Sequence, residues 1–484
     1  MRVKSGKRGR RPGRILVRAD DAGLTPYAGL AVVGELARRL RLVELIDGEL
    51  ARERRARPVK RRRRGLSAGQ LLVSLAEAQL VGGEFFEHVE DLRADRAGAP
   101  LRTVAGTPAA ATALQNAKRF RRVHVQRVER ALAGAGGRLD RALGRDPSAP
   151  VTIDLDATQV EVYGARKQGA ARSRHGTLSF APHVAFWAER GRALTAELVG
   201  GNQEKLAAGD SARLARRALA LLPDGHGPVC FRLDSAYYQL ELLRALRAER
   251  ARFSVSAPRS QAIWQTLAEI GEQAWQDAIE MEGAQVAETS YRPAGWQAEP
   301  LRLIVRRSPF SAAQLAAGNP GARRRKTIPA AQLALALDGE RASVYGYSFI
   351  LTDIHDQQAV TVERFHRQRA QIEERLKEAK LGQALRHLPS GNQHANRVWL
   401  TAALTALNLT AFCCDLCPAA RASGKPTSKD APLRRAAKTL RRLLFCVPAR
   451  IVRTGRQLIL RLPAGFRHAD TFNRTLEAVY ALPP

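Results

Sequence analysis

Cysteine is scarce in this chain, and so is negative charge. Five cysteines (Cys230, Cys413, Cys414, Cys417 and Cys446) are an odd, widely spaced set. That is no disulfide framework, and it points to a reducing compartment, the cytoplasm. Cys414-x2-Cys417 has half of a zinc-site spacing, but no second Cys/His pair stands at a suitable distance. Small core residues at a helix end are expected instead. No apolar run reaches the roughly 20 residues of a membrane span. The longest, VWLTAALTALNLTAFCC, contains Thr401, Asn408 and Thr410 and reads as a buried helix. The basic start MRVKSGKRGRRPGR has no apolar stretch behind it, so no secretory signal is expected. No internal repeat is found.

Acidic residues number 46 against 79 Lys and Arg, a net charge of +33 spread over all 484 residues. A field of this size favours a polyanionic partner, nucleic acid above all, and no membrane. Heavy Ala, Arg and Gly usage also fits a genome rich in Arg codons, yet codon bias does not explain why acidic residues fail to keep pace.

The length implies two to four domains. Residues 1–20 read as a basic, disordered arm. Residues 21–146 read as a helical N-terminal domain. Apolar positions from Thr25 to Ile46 return every three or four residues, as in a helix. A linker ends in Arg61-Arg62-Arg63-Arg64, a phosphate-contacting tether or a solvated run. Ser67-Ala68-Gly69-Gln70 is a capping box. Thr107-Pro108 predicts the start of a long helix carrying Lys118, Arg119, Arg121 and Arg122. This basic element fits a helix-turn-helix type DNA-binding domain or, equally, a bundle with a solvated basic face.

At Val151 the period changes to strict alternation, which predicts a strand with Asp154 and Asp156 on one side. Strands follow in LSFAPHVAFWAE, ALTAELVGG and VCFRLD. Asp234 ends the last of these, as the N-cap of the next helix or as a carboxylate in need of a cation. Residues 147–258 are thus the first part of an α/β (α+β) core. Residues 259–345, with Trp264, Trp275 and Trp296, read as a β-rich insertion. The core resumes over 346–420, and 421–484 is a basic C-terminal region with Arg434 to Arg442 on a helix.

The resumed core holds ERFHRQRAQIEERLKEAKLG. His366, Arg369, Glu373 and Lys380 lie at offsets 3, 7 and 14, on one side of a helix. Phosphoryl transfer on DNA needs charge stabilised on the entering and leaving oxygens, and two divalent ions held by two or three carboxylates do this. Asp156, Asp234 and Glu373 are the candidates. Asp154 is the runner-up for the first ligand, and Glu374 a weaker rival to Glu373.

The segments IDLDATQVEVYG, FRLDSAYY and HRQRAQIEERLKEAKLG resemble the DDE transposases of bacterial insertion sequences. The narrower resemblance is to the group with a Tyr-x2-Arg-x3-Glu-x6-Lys helix. It runs from about residue 25 to 480. It implies an RNase H-like mixed β-sheet flanked by helices and interrupted by a β-rich insertion, behind an N-terminal helical DNA-binding domain. It also implies Asp156, Asp234 and Glu373 as ligands of two Mg²⁺ ions, with Mn²⁺ as a substitute. Arg369 and Lys380 would contact DNA phosphates near the cut, and His366 would do so where the family has Tyr. The expected partners are terminal inverted repeats and target DNA, in a dimeric synaptic complex near the nucleoid. The alternatives are a non-catalytic DNA-binding descendant and an RNase H-like nuclease that cuts without joining.

Overall fold

The computed structural model describes residues 15–60, 64–417 and 436–484. Residues 1–14 of the expected basic arm, Arg61–Arg63 of the linker, and Arg434 with the rest of 418–435 lie outside the described residues.

The N-terminal part is helical. A short strand β1 (Leu24–Thr25) precedes α1 (Leu30–Arg39), α2 (Leu42–Ala51), α3 (Ala68–Leu80), α4 (Val89–Ala94), α5 (Ala110–Ala117) and α6 (Arg122–Ala142). Sequence periodicity joins what the backbone separates. The helix expected from Thr25 to Ile46 is two, broken at Arg41, which adopts the left-handed φ of 52°. The Ser67 capping box forms as expected, with Ser67 and Gln70 each bonding the other's backbone N–H. Thr107 caps nothing: α5 starts after Ala109, and the Thr107 hydroxyl is buried without a partner. The long basic helix is also two. His124 Nδ1 accepts the Arg121 N–H at 3.0 Å, which starts α6 afresh and leaves Lys118 to Arg121 in the elbow between the helices.

The alternating segment at Val151 is β2 (Val151–Ala157), an interior strand of an 11-stranded sheet. Then come β3 (Val160–Glu161), β4 (Ala171–Arg172), β5 (Leu178–Trp187), β6 (Arg192–Gly200), α7 (Ala208–Leu219), β7 (Val229–Leu233), α8 (Leu240–Ala248) and β8 (Arg252–Ser256). β2, β5 and β6 pair antiparallel, whereas β7 joins β2, and β8 joins β7, in parallel. Parallel pairs need crossovers that return over a sheet face, and α7 and α8 supply them. Val151, Ile153 and Leu155 pack into the core beneath these two helices. The polar side of β2 is not a solvent face: Asp154 and Asp156 are buried as well. A central strand paired in parallel is covered on both sides, so alternation here marks two kinds of interior.

The segment 259–345 adds to the same sheet. After α9 (Gln261–Gln265) come β9 (Gln276–Asp277), β10 (Gln285–Tyr291) and β11 (Leu301–Ser311). Three short helices follow, α10 (Ala312–Ala316), α11 (Gly318–Arg325) and α12 (Ala330–Leu337), and then β12 (Ser343–Thr352). β12 pairs antiparallel with both β8 and β11, so the order runs on as β8-β12-β11-β10-β9.

Beyond β12 stand α13 (Ala359–Arg367), α14 (Ala370–Gly382) and α15 (Gln393–Leu416). α15 is long and apolar enough to cross a membrane, but 94% of its most apolar window is buried inside the protein. It is the axle of the largest core, packed against α3, α6 and β6. Trp399 and Phe412 are fully enclosed there, each contributing about 2–3 kcal/mol of burial. Cys413, Cys414 and Cys417 at its end are buried and form no disulfide, as expected. The chain closes with α16 (Ala437–Leu440), a π-turn at Arg441–Phe445, β13 (Ala449–Thr454), β14 (Gln457–Arg461) and α17 (Ala469–Tyr480). β13 pairs with β1 and α17 packs on α1, so the C-terminal part is built onto the N-terminal helices.

Candidate active site

Two carboxylates meet at one end of the sheet because their strands run in register. Leu155 pairs with Leu233 in the parallel β2–β7 ladder; Asp156 follows within β2, and Asp234 is the first residue beyond β7. Asp234 also caps the following turn, accepting the Ala236 N–H at 2.9 Å with one oxygen. Cap and ligand are therefore compatible, since the cap uses only one of the two oxygens. Glu373 arrives from α14, which packs on β2. Arg369 bridges the group, 3.6 Å from Asp156 and 3.7 Å from Glu373. Asp156, Thr158, Glu373, Lys377 and Lys380 line an open groove.

Asp156 is held far from its ordinary state. Burial pushes its pKa up from 3.8 to about 6; Arg369 opposes this, and the charges of Asp234 and Glu373 add to it. Burial is the main cause, and the two neighbouring carboxylates work against the relief that Arg369 gives. Mg²⁺ takes hard oxygen ligands, and the carboxylates of Asp156 and Glu373 on the groove, with Asp234 at the neighbouring strand end, fit it in kind. As the side chains stand, no three His, Cys, Asp or Glu groups among the described residues close around one point. Glu373 is 67% exposed and turned to Arg369, so its position is set by that ion pair.

Asp154 is removed from the contest by its neighbour. It pairs across the ladder with Arg232, which donates to both its oxygens at 2.7 and 2.8 Å. Both partners are buried. Glu374 is exposed, with Lys377 3.9 Å away.

The helix expected to carry His366, Arg369, Glu373 and Lys380 is broken after Arg367. In a continuous helix the Phe365 carbonyl would accept the Arg369 N–H. Here Arg232 donates to that carbonyl at 3.1 Å, and the Arg369 N–H turns to the His366 carbonyl at 2.9 Å. An inserted side chain is a recognised cause of such a kink. Glu363 anchors the same helix from below, fully buried between Arg306 and Arg367.

His366 is therefore not on the groove. Its ring is buried on β8, with Nδ1 2.9 Å from the Ser254 hydroxyl and Nε2 3.0 Å from that of Ser256. Burial, helped by Arg369 and Arg232, pushes its pKa down to about 3, so it is neutral. This corrects the expectation of a DNA contact: the ring is buried and both its nitrogens are engaged by serine hydroxyls. Lys380 is at the groove, its amino group 3.2 Å from the Thr158 hydroxyl and 2.8 Å from the Gln159 carbonyl. Partial burial lowers its pKa.

Of the basic elbow, Lys118, Arg119 and Arg121 are exposed. Arg122 is 2.7 Å from Glu197 on β6. Glu197 pairs with His183, which pairs with Ala157. The elbow is thus tied to the sheet end that bears Asp156, two strands or roughly 10 Å across.

Sequence reading missed three partners here. Arg232 could have been found, since it precedes Asp234 by two as Asp154 precedes Asp156. His183 and Tyr237 could not: they lie far apart in sequence and meet at 2.8 Å beside the two aspartates. Burial and the charges of Asp234 and Asp156 raise the Tyr237 pKa well above its usual value.

The profile of the family described as Transposase DDE domain group 1 matches residues 9–315 and 338–484. No curated protein matches the chain. Among solved structures, it is similar to a piggyBac transposase in a synaptic complex with hairpin DNA, seen by cryo-EM. The identity is 8%, covering 86% of this chain and 79% of that one, with a TM-score of 0.39.

Proposed function

The chain belongs to the Transposase DDE domain group 1 family, and from that premise we propose that it cuts and joins DNA at the ends of a bacterial insertion sequence. The observation that carries this is the register of β2 and β7, which sets Asp156 beside Asp234 with Glu373 linked through Arg369. The order β6-β5-β2-β7-β8, with β7 and β8 parallel to β2, supports an RNase H-like core for this work. On this reading 259–345 is an insertion that widens the core sheet, 21–146 is a DNA-binding domain, and the basic C-terminal region adds to it.

Asp156, Asp234 and Glu373 would hold two Mg²⁺ ions, or Mn²⁺, which when bound activate the attacking oxygen and neutralise charge on the phosphate. The rigid β2–β7 ladder orients the two aspartates, and α14 brings Glu373 over them. Lys380, fixed at the groove by Thr158 and Gln159, stands where it can hold a phosphate of the bound strand. Arg369 does the same once its carboxylate partners turn elsewhere. Water attacks the phosphate at the element's end and the 3′-oxygen leaves. The freed 3′-hydroxyl then attacks a target phosphate in line, losing its proton as the target strand's 3′-oxygen leaves and takes one up, so no covalent protein–DNA intermediate arises. Lys118, Arg119 and Arg121 contact the terminal inverted repeats, and a dimer brings two ends together in the cytoplasm, at the nucleoid.

The test is Asp234→Asn in a strand-cleavage assay on end-bearing DNA. Cleavage should be lost while end binding remains; retained cleavage refutes the assignment. Joining of pre-cleaved ends separates a transposase from a nuclease that only cuts.

A further inference from the structure

The hairpin of β13 and β14 carries positive charge without acidic company. From Val447 to Ala469 there is no Asp or Glu, but there are Arg450, Arg453, Arg456, Arg461 and Arg467. The strands turn at Gly455-Arg456, where Gly455 adopts the left-handed φ of 53°. Register then assigns the faces. Ile451 opposite Leu460 packs on the helical core, at the inner face. The outer face holds Arg450 opposite Arg461, Val452 opposite Ile459, and Thr454 opposite Gln457; Arg453 opposite Leu458 lies on the face of Ile451 but nearer the tip, where both are exposed, so the arginines stand on both sides of the ribbon. Arg453 and Arg456 stand at the exposed tip.

Two like charges placed directly opposite one another destabilise a strand pair. Among the described residues Arg450 has one acidic partner, Asp21, and Arg461 has none. Ile459 and Leu458 are also exposed, at 36% and 42%. β14 is the free edge of its three-stranded sheet. A free edge can take a strand from a second copy, but arginines along it oppose that pairing. A polyanion suits the same arginines. The major groove of B-form DNA, about 12 Å wide, admits a two-stranded ribbon, with flanking cations on the phosphates.

We propose that this hairpin is a DNA-binding ribbon that enters a groove of duplex DNA, with Arg453, Arg456 and Arg461 on its phosphates. It rests on the reading of the chain as a protein that acts on DNA, and adds a contact surface separate from the carboxylate groove and from the elbow at Lys118.

The test uses the full chain and a fluorescent duplex of arbitrary sequence, with affinity measured by anisotropy across a salt series. R453Q/R456Q/R461Q should flatten the plot of log affinity against log salt by about 0.9 per arginine, and weaken binding tenfold or more at roughly 0.1 M salt. R453K/R456K/R461K should keep the wild-type slope. Circular dichroism melting should show no loss of stability in either variant. A wild-type slope in the Gln variant, with wild-type protein binding and cutting DNA, overturns the ribbon and leaves the proposed function intact. A slope change that occurs only with a change in oligomeric state also overturns it, in favour of a second copy. If the wild-type protein neither binds nor cuts DNA, both readings fall.

Discussion

Arg369 lies 3.6 Å from Asp156 and 3.7 Å from Glu373, so two carboxylates from distant parts of the chain share one guanidinium. Arg369 Nη1 is buried and has no hydrogen-bond partner. The arrangement is a charge compromise: one guanidinium stands between two carboxylates, and Asp234 adds its charge to the field at Asp156. A divalent ion would satisfy the carboxylates better and release Arg369 to the groove.

The compromise has a pH signature. Asp156 has a pKa of about 6 in the folded protein, above its ordinary 3.8. The folded state therefore holds the proton more tightly than the unfolded chain does. Stability conferred by that proton is fully present below about pH 4 and is lost as pH rises to about 6, up to about 3 kcal/mol in all. Mg²⁺ prefers the ionised carboxylate. Thermal melting with and without millimolar Mg²⁺ should show stabilisation at pH 7.5 and little at pH 5, and Asp156→Asn should remove the difference. Equal stabilisation at both values would contradict this.

Asp154 and Asp156 should separate cleanly by substitution. Asp154→Asn leaves Arg232 buried beside a neutral partner, at a cost on the order of 3–5 kcal/mol if the charge pairing is lost entirely. Asp156→Asn removes a strained charge, so stability in metal-free buffer at pH 7.5 should hold or rise while cleavage disappears. Chemical denaturation and a nicking assay on both variants decide it. A stable, inactive Asp154→Asn beside an active Asp156→Asn would reverse the assignment.

His366→Phe should act on the fold and not on DNA contact. The hydroxyls of Ser254 and Ser256 lose their ring partners, for about 1–3 kcal/mol. The salt dependence of DNA binding should stay as in the wild type, whereas a direct phosphate contact would flatten it by about 0.9.

Lys380→Met should slow single-turnover cleavage by about 100-fold, the scale of one lost electrostatic contact to a reacting group, with little change in overall DNA affinity. A tenfold loss of affinity with an unchanged cleavage rate would place Lys380 in general binding and away from the cut.

What the sequence made legible was local. Alternation in VTIDLDA, the capping box at Ser67 and the apolar run of α15 each follow from neighbours in the chain, and each appears as expected. What it hid was supplied across space. The break between α13 and α14 needs Arg232, more than 130 residues earlier, to take the Phe365 carbonyl. The choice between Asp154 and Asp156 depends on which of them Arg232 faces, and that is set by a ladder register. His366 looked like a member of a polar helix face because periodicity assumed one continuous helix. Its burial between two serines of β8 follows from tertiary packing that no spacing rule contains.

The most direct measurement is anomalous scattering from a crystal grown with Mn²⁺. A peak bounded by the carboxylates of Asp156, Asp234 and Glu373, lost in Asp234→Asn, is the expected result. A well-ordered site with no peak, or with Mn²⁺ bound only elsewhere, would contradict the shared-metal claim.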